Sequence, residues 1–227
     1  MRVLAVDTSS ERGSVCVTDC GEVVGEVRLA SSIQHSERLF RSIEFLFQYL
    51  SFSLQDIDVF AAARGPGSFT GLRVGIAAME GFVAAHRRRG AGVTTLQALA
   101  WKTGICDALI APMIDARRGD IYGAVYRRMG TGGAFDTLIE EQAPVVLKPA
   151  EWLAGLPRTP LIFCGDGATR YQRLLEPVQG RIQSIDLYLA STIGELAADP
   201  NVGPLTPLYV RRPDAEIARE SVGSTNS

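Results

Sequence analysis

The sequence is poor in the residues from which most catalytic centres are built. Two histidines, His35 and His86, and four cysteines, Cys16, Cys20, Cys106 and Cys164, are spread over 227 residues. Cys16 and Cys20 are spaced C-x3-C, and no second pair of metal-like spacing follows them. Four reduced, mostly buried thiols are therefore expected, and no plausible catalytic metal site. Two histidines leave few ways to assemble a Ser/His/Asp or Cys/His triad, and neither local context supplies a serine or cysteine with a base. An excess of charge of one sign is also missing. The formal net charge is −2, whereas a dedicated nucleic-acid binder carries a strong basic excess. Contact with nucleic acid should then be local, or supplied by a partner. Long apolar runs are absent too: the stretch 75–86 comes nearest and contains Glu80, short of the ~18–20 residues that span a bilayer. Asp7 interrupts the N-terminal apolar run before a signal-peptide core could form. A cytoplasmic protein without a membrane partner is the expectation.

What the chain has is apolar content, 46% of its residues, which excludes disorder as its dominant state. Its length exceeds the usual ~100–150 residues of a domain, so one large or two modest domains are expected. Val3 to Val6 reads as a buried strand ending in Asp7, followed by a hairpin, 14–17 and 22–29, turning at Asp19-Cys20-Gly21. Ser36 is placed to cap a helix reaching about Leu50, with Leu39, Ile43, Leu46 and Phe47 on one face. A strand over 58–63, a glycine-rich turn and a helix to about His86 follow. A short strand closing at Val93 then leads to a helix capped by Thr94 or Thr95.

The second half repeats the plan. Strands are predicted over 108–114, 121–127 and 137–147, the last after the glycine-rich 130–133, and a short helix begins at Pro149. A strand over 161–164 turns through Gly165-Asp166-Gly167-Ala168 into a helix reaching about Glu176, before a strand over 182–185 and a helix over 190–198. Both halves open on an apolar strand ending in aspartate, Val6-Asp7 and Ile114-Asp115. The fold class expected is α/β: two similar lobes, each a mixed sheet flanked by helices. The lobes divide as 1–105 and 106–210, with a polar tail, 211–227, expected to fray.

Two segments could carry chemistry. In Asp7-Thr8-Ser9-Ser10, a strand ending in aspartate is followed by small hydroxyl residues. Such a loop could hold a nucleotide phosphate, or its side chains could merely satisfy local backbone groups. In Arg64-Gly65-Pro66-Gly67-Ser68-Phe69-Thr70-Gly71-Leu72-Arg73-Val74-Gly75, a rigid turn opens a helix, and Ser68 or Thr70 can cap it. Gly71 and Gly75 lie on one helical face, continued by Ala78. Each interior glycine costs ~1 kcal/mol relative to alanine. Three explanations compete: close approach of a neighbour within the fold, admission of a partner's helix, or a phosphate cradle. The last is disfavoured, because the turn lacks the Lys-Ser/Thr ending of a P-loop. The run His86-Arg87-Arg88-Arg89 complements the end of this helix and is read as solvated or as a contact to RNA phosphate.

These segments resemble the bacterial TsaB (YeaZ) family nearly end to end. The resemblance is carried by 4–8 (LAVDT), His35-Ser36, the eleven residues Gly65 to Gly75, 114–117 (IDAR) with Ile121-Tyr122, 165–168 (GDGA) and 207–211 (PLYVR). It implies the actin/Hsp70-like (ribonuclease H-like) fold. It also implies a non-catalytic scaffold in the modification of tRNAs reading ANN codons with threonylcarbamoyladenosine (t6A37), binding a TsaD-like catalytic subunit together with a TsaE-like ATPase. The implied partner interface comprises His35, Leu39 and Ile43 on the first helix and Gly71, Gly75, Ala78 and Phe82 on the second. The same surface would serve a homodimer when the partner is absent, and tRNA would be reached through the complex.

The resemblance also separates this chain from its catalytic relatives. Two metal-binding histidines of the TsaD family fall, by position, on Thr95 and Leu99. Leucine cannot coordinate a metal, and a lone threonine hydroxyl is a poor ligand. Asp7, Thr8, Ser9 and Ser10 match the fold's phosphate loop. A vestigial site for ATP or ADP is thereby implied, with no cofactor required. A small-molecule ATPase or kinase of the same fold is the alternative. A glycoprotease is disfavoured by the absence of a histidine pair.

Overall fold

The structure, a computed structural model, describes residues 1–30, 35–132 and 136–210. The predicted tail, 211–227, and Gly133 lie outside the described residues. The first sheet contains β1 (Arg2–Asp7), β2 (Arg12–Asp19), β3 (Glu22–Ala30), β4 (Val59–Ala63) and β5 (Arg89–Val93), in the order β3-β2-β1-β4-β5. β1, β2 and β3 form an antiparallel meander, and β4 and β5 extend it in parallel. The predicted turn joins β2 to β3 with positive φ at Cys20 (51°) and Gly21 (86°). Helix α1 (His35–Tyr49) leads from β3 toward β4, and α2 (Phe69–His86) is the crossover between β4 and β5. β1 and β4 are covered on both faces, which is why they read as unbroken apolar runs.

The second sheet repeats the arrangement with β6 (Leu109–Asp115), β7 (Ile121–Met129), β8 (Thr137–Leu147), β9 (Leu161–Cys164) and β10 (Gly180–Ile182), ordered β10-β9-β6-β7-β8. The helices after α2 are α3 (Thr95–Lys102), α4 (Pro149–Ala154), α5 (Asp166–Arg170), α6 (Gln172–Leu175) and α7 (Ala190–Leu196). The single helix expected up to Glu176 is in fact two. Tyr171 leaves helical geometry (φ −107°, ψ 23°), and its hydroxyl reaches Asp115 at 3.4 Å. The last strand ends at Ile182, earlier than predicted.

Each half packs its closing helix on the sheet of the other. α3 lies on β6 and β7, while α7 lies on β1, β2 and β4. The Ala190 N–H donates to Ser14 Oγ at 3.0 Å. Ala5, Val93, Leu96, Tyr126 and Ile193 consequently share one core. Beyond α7 the chain returns to the first sheet, with Gly92 N–H donating to Gly203 O at 2.8 Å and Leu208 N–H to Arg64 O at 2.7 Å. Hydrophobic periodicity marks which face of α7 is apolar but does not name the sheet that receives it.

The basic run does not stay together. Arg87 ends α2 in the left-handed region, and Arg88 reaches Gln55 O at 3.2 Å. Arg89 enters β5 and donates to the carbonyls of Ala197 and Asp199 just past α7. A cation there satisfies open carbonyls and opposes the negative end of the dipole. Among the described residues no helix is long and apolar enough to cross a membrane.

Candidate functional site

At the end of β1, Asp7 is only 1% exposed. Its Oδ1 accepts the Ser9 N–H at 2.9 Å, and its Oδ2 has no hydrogen-bond partner. Burial pushes its carboxyl up to about 6, against the opposing bonds from Ser9. It borders a cavity of about 20 Å³ lined by Thr8, Gly13, Ser14, Arg38 and Ser42 among others. Such a space holds a water, not a phosphate. The other donors of the loop are engaged as well. Thr8 Oγ1 donates to Gly71 O at 2.7 Å, and the exposed Ser10 hydroxyl bonds the backbone of Arg12. As folded, the Thr8 and Ser10 hydroxyls are therefore bonded to the backbone of the chain itself.

The glycine-rich segment explains why this loop is closed. Ser68 caps α2, its Oγ accepting the Gly71 N–H at 3.2 Å. Its own N–H donates to Ser9 O at 2.7 Å. A Cβ on Gly71 would collide with Thr8 O, and one on Gly75 with Thr8 Oγ1. Of the three explanations for the glycines, close approach within the fold is the one observed: α2 presses its first turns onto the loop after β1. The second lobe does the same, since Cβ atoms on Gly165 and Gly167 would meet the backbone of Met113 in β6.

The sequence and fold have known counterparts. The family model for TsaD, tRNA N6-adenosine threonylcarbamoyltransferase, matches residues 23–173. The TsaB protein of Escherichia coli K12, named for tRNA threonylcarbamoyladenosine biosynthesis, is 35% identical over 152 residues, 66% of this chain and 63% of that protein. Its counterpart in Bacillus subtilis 168 is 28% identical over 79% of this chain and 77% of its own length. The structure of YeaZ from Pseudomonas aeruginosa superposes with a TM-score of 0.77 at 25% identity, covering 92% of this chain and 99% of that one. The chain belongs to the TsaB/YeaZ family. Its two lobes have the actin/Hsp70-like fold of that family.

The residues expected at a partner interface lie on α1 and α2, and most of them are buried. Leu39 and Ile43 are 3% and 4% exposed and belong to the core with Leu4, Ile76 and Met79. Gly71 and Gly75 face Thr8. These four are occupied by the chain itself. Ala78 and Phe82 are half-buried, with Phe82 stacked on Phe60 at 5.4 Å between ring centroids. Helix α1 begins at His35, one residue before the predicted cap. The side chains of His35 and Ser36 lie outside the described residues.

The exposed aromatics of α1 lie on two sides of the helix, Phe40 against Phe82 of α2 and Phe45 against Tyr49. On α1, Phe40, Phe45 and Tyr49 are 50%, 52% and 77% exposed. On α2, Ala77, Gly81, Ala84 and Ala85 are turned to solvent, and a Cβ on Gly81 would meet nothing within 4 Å. Phe40 joins the two helices by an edge contact with Phe82. One sequence signal could have found these residues: Phe40, Phe45 and Tyr49 fall off the stripe of Leu39, Ile43 and Leu46.

Thr95 and Leu99, the two positions expected to have lost metal ligands, are both buried in α3. Among the described residues no three His, Cys, Asp or Glu side chains are grouped to hold a metal ion. Asp115 is instead held by Arg170 at 3.5 Å and by the Tyr171 hydroxyl. Its N–H donates to Asp166, whose carboxyl is raised by burial.

Proposed function

We propose that this chain is a non-catalytic scaffold in the biosynthesis of threonylcarbamoyladenosine in tRNA. It binds a TsaD-like catalytic subunit through the outer face of α1 and α2, and works together with a TsaE-like ATPase. The same face closes a homodimer when the partner is absent. The scaffold acts in the cytoplasm, requires no cofactor of its own, and reaches tRNAs reading ANN codons through the complex.

One observation carries the reading: the exposed Phe40, edge-on to Phe82 where α1 meets α2, with a smooth exposed stripe of α2 centred on Gly81. Large aromatics next to small residues are the composition of an interface core, and a face of this kind is costly to leave in water. The match to the TsaD family model adds that the chain and the proposed partner share a fold. Leucine and threonine at the ligand positions support a subunit that recognises rather than transfers.

The test is co-migration of the chain with a TsaD protein on size exclusion, repeated with Gly81→Leu and Phe40→Glu. Both variants should fold with unchanged thermal midpoints and lose the complex. A variant that folds normally and still co-migrates would place the interface elsewhere.

A further inference from the structure

The two lobes are joined where α3 meets α7, the helices that each half packs on the other's sheet. Each helix is anchored to the sheet that receives it. On the second sheet, Trp101 O in α3 accepts from Arg128 of β7 at 3.0 Å. On the first, the Ala190 N–H at the head of α7 donates to Ser14 Oγ of β2 at 3.0 Å. A Cβ on Gly194 would stand 3.1 Å from Thr18 Cγ2, so α7 is pressed onto that sheet. Between the anchors, Leu96 and Leu99 of α3 and Ile193 of α7 lie in one apolar core drawn from both sheets. A shared hydrophobic core opposes the relative motion that is otherwise the default for paired domains.

The C-terminal end of α3 also holds both ends of α7 by polar bonds. The Trp101 indole N–H donates to Glu195 Oε2 at 2.9 Å, in the last turn of α7. The Arg128 guanidinium lies 3.9 Å over the Trp101 ring, so one side chain links β7 to α7. One residue on, the Lys102 ammonium donates to Asp186 Oδ1 at 2.6 Å and to the Tyr188 carbonyl, in the segment that leads into α7. Arg28 of β3 reaches the other oxygen of Asp186 at 3.5 Å. That carboxylate therefore gathers one cation from α3 and one from the first sheet. A pair as exposed as Arg28 and Asp186 adds little stability, but Lys102 is only 14% exposed and Trp101 is buried. Apolar burial is non-directional and lets helices slide, whereas hydrogen bonds with fixed donors and acceptors select one orientation. Two points of attachment on α7 fix its direction as well as its position.

We propose that the α3–α7 ties, Trp101 to Glu195 and Lys102 to Asp186, lock the two lobes into one rigid body, so that the second lobe keeps a single orientation to the α1–α2 face. The lock does not rest on the partner-binding reading and is tested on the chain alone. Spin labels on the exposed Cys20, in the first lobe, and on Glu151→Cys, in α4 of the second, report the distance between lobes. Cys106→Ser removes the half-buried thiol, and excess unlabelled chain ensures that only pairs within one molecule are read. The parent should give one narrow distance distribution by pulsed electron spin resonance. Lys102→Met combined with Glu195→Ala removes both ties at the rim of the core, where folding should survive. The distribution should then broaden by several ångströms or gain a second distance. A control pair inside the first lobe, Cys20 with Glu44→Cys in α1, should stay narrow in both proteins. Two distances in the parent would overturn the rigid body. An unchanged distribution in the folded double variant, or equal broadening of the control pair, would overturn the lock at α3–α7.

Discussion

Thr8 and Gly71, 63 residues apart in sequence, are joined by a hydrogen bond of 2.7 Å from the Thr8 hydroxyl to the Gly71 carbonyl, in the buried interior. The bond fixes the first turn of α2 to the loop after β1. It also takes a donor from the loop that a nucleotide would need.

The contact makes the glycines of α2 unequal. Gly71→Ala should destabilise the chain by about 2–4 kcal/mol, because the added methyl collides with backbone that cannot move aside. Gly81→Ala, on the open side, should be neutral or stabilise by up to about 1 kcal/mol. Urea denaturation of the two variants checks the contrast, and equal losses would refute it.

Asp7 sets a pH dependence. Its carboxyl is raised to about 6 in the folded chain, against about 3.9 unfolded. Below about pH 4 both states hold the proton and nothing is lost. From about 4 to 6 the folded state keeps a proton that the unfolded state releases, so this contribution to stability falls as pH rises. Asp7→Asn should remove that slope. The variant should gain on the parent through this window, by at most about 3 kcal/mol at pH 7. Denaturation midpoints of both proteins at pH 4, 5, 6 and 7 provide the measurement.

Arg128 and Asp136 form a buried ion pair at 2.7 Å, with side chains 7% and 3% exposed. The guanidinium also donates to Trp101 O at 3.0 Å and lies over the Trp101 ring. Arg128→Leu would take the cation from a buried carboxylate that keeps the N–H groups of Thr131 and Gly132, and a loss of about 3 kcal/mol is expected. A loss below about 1 kcal/mol in chemical denaturation would contradict this account.

Thiol reactivity should divide by burial. Cys16 and Cys164 are buried and both are pushed up to about 12 by desolvation, whereas Cys20 is exposed. At pH 8 a thiol reagent should label Cys20 first and reach Cys16 and Cys164 only when the chain unfolds. Mass spectrometry of the labelled chain, with and without denaturant, distinguishes the sites.

Much of the fold was legible because it is written locally. An unbroken apolar run before Asp7, the Cys20-Gly21 turn, and Ser68 and Thr94 in front of helical periods each specify their element within a few residues. The repeated plan, an apolar strand ending at Asp7 and again at Asp115, announced two related sheets. Long-range proximity decided the rest. Nothing near Gly71 says that Thr8 will stand against it, and nothing near Ala190 says that α7 will cross to the first sheet. A helical period tells which residues share a face; which face is buried, and against what, depends on the whole packed chain. That is why Leu39 and Ile43, correctly placed on one stripe of α1, proved to be core, while Phe40, Phe45 and Tyr49 face outward.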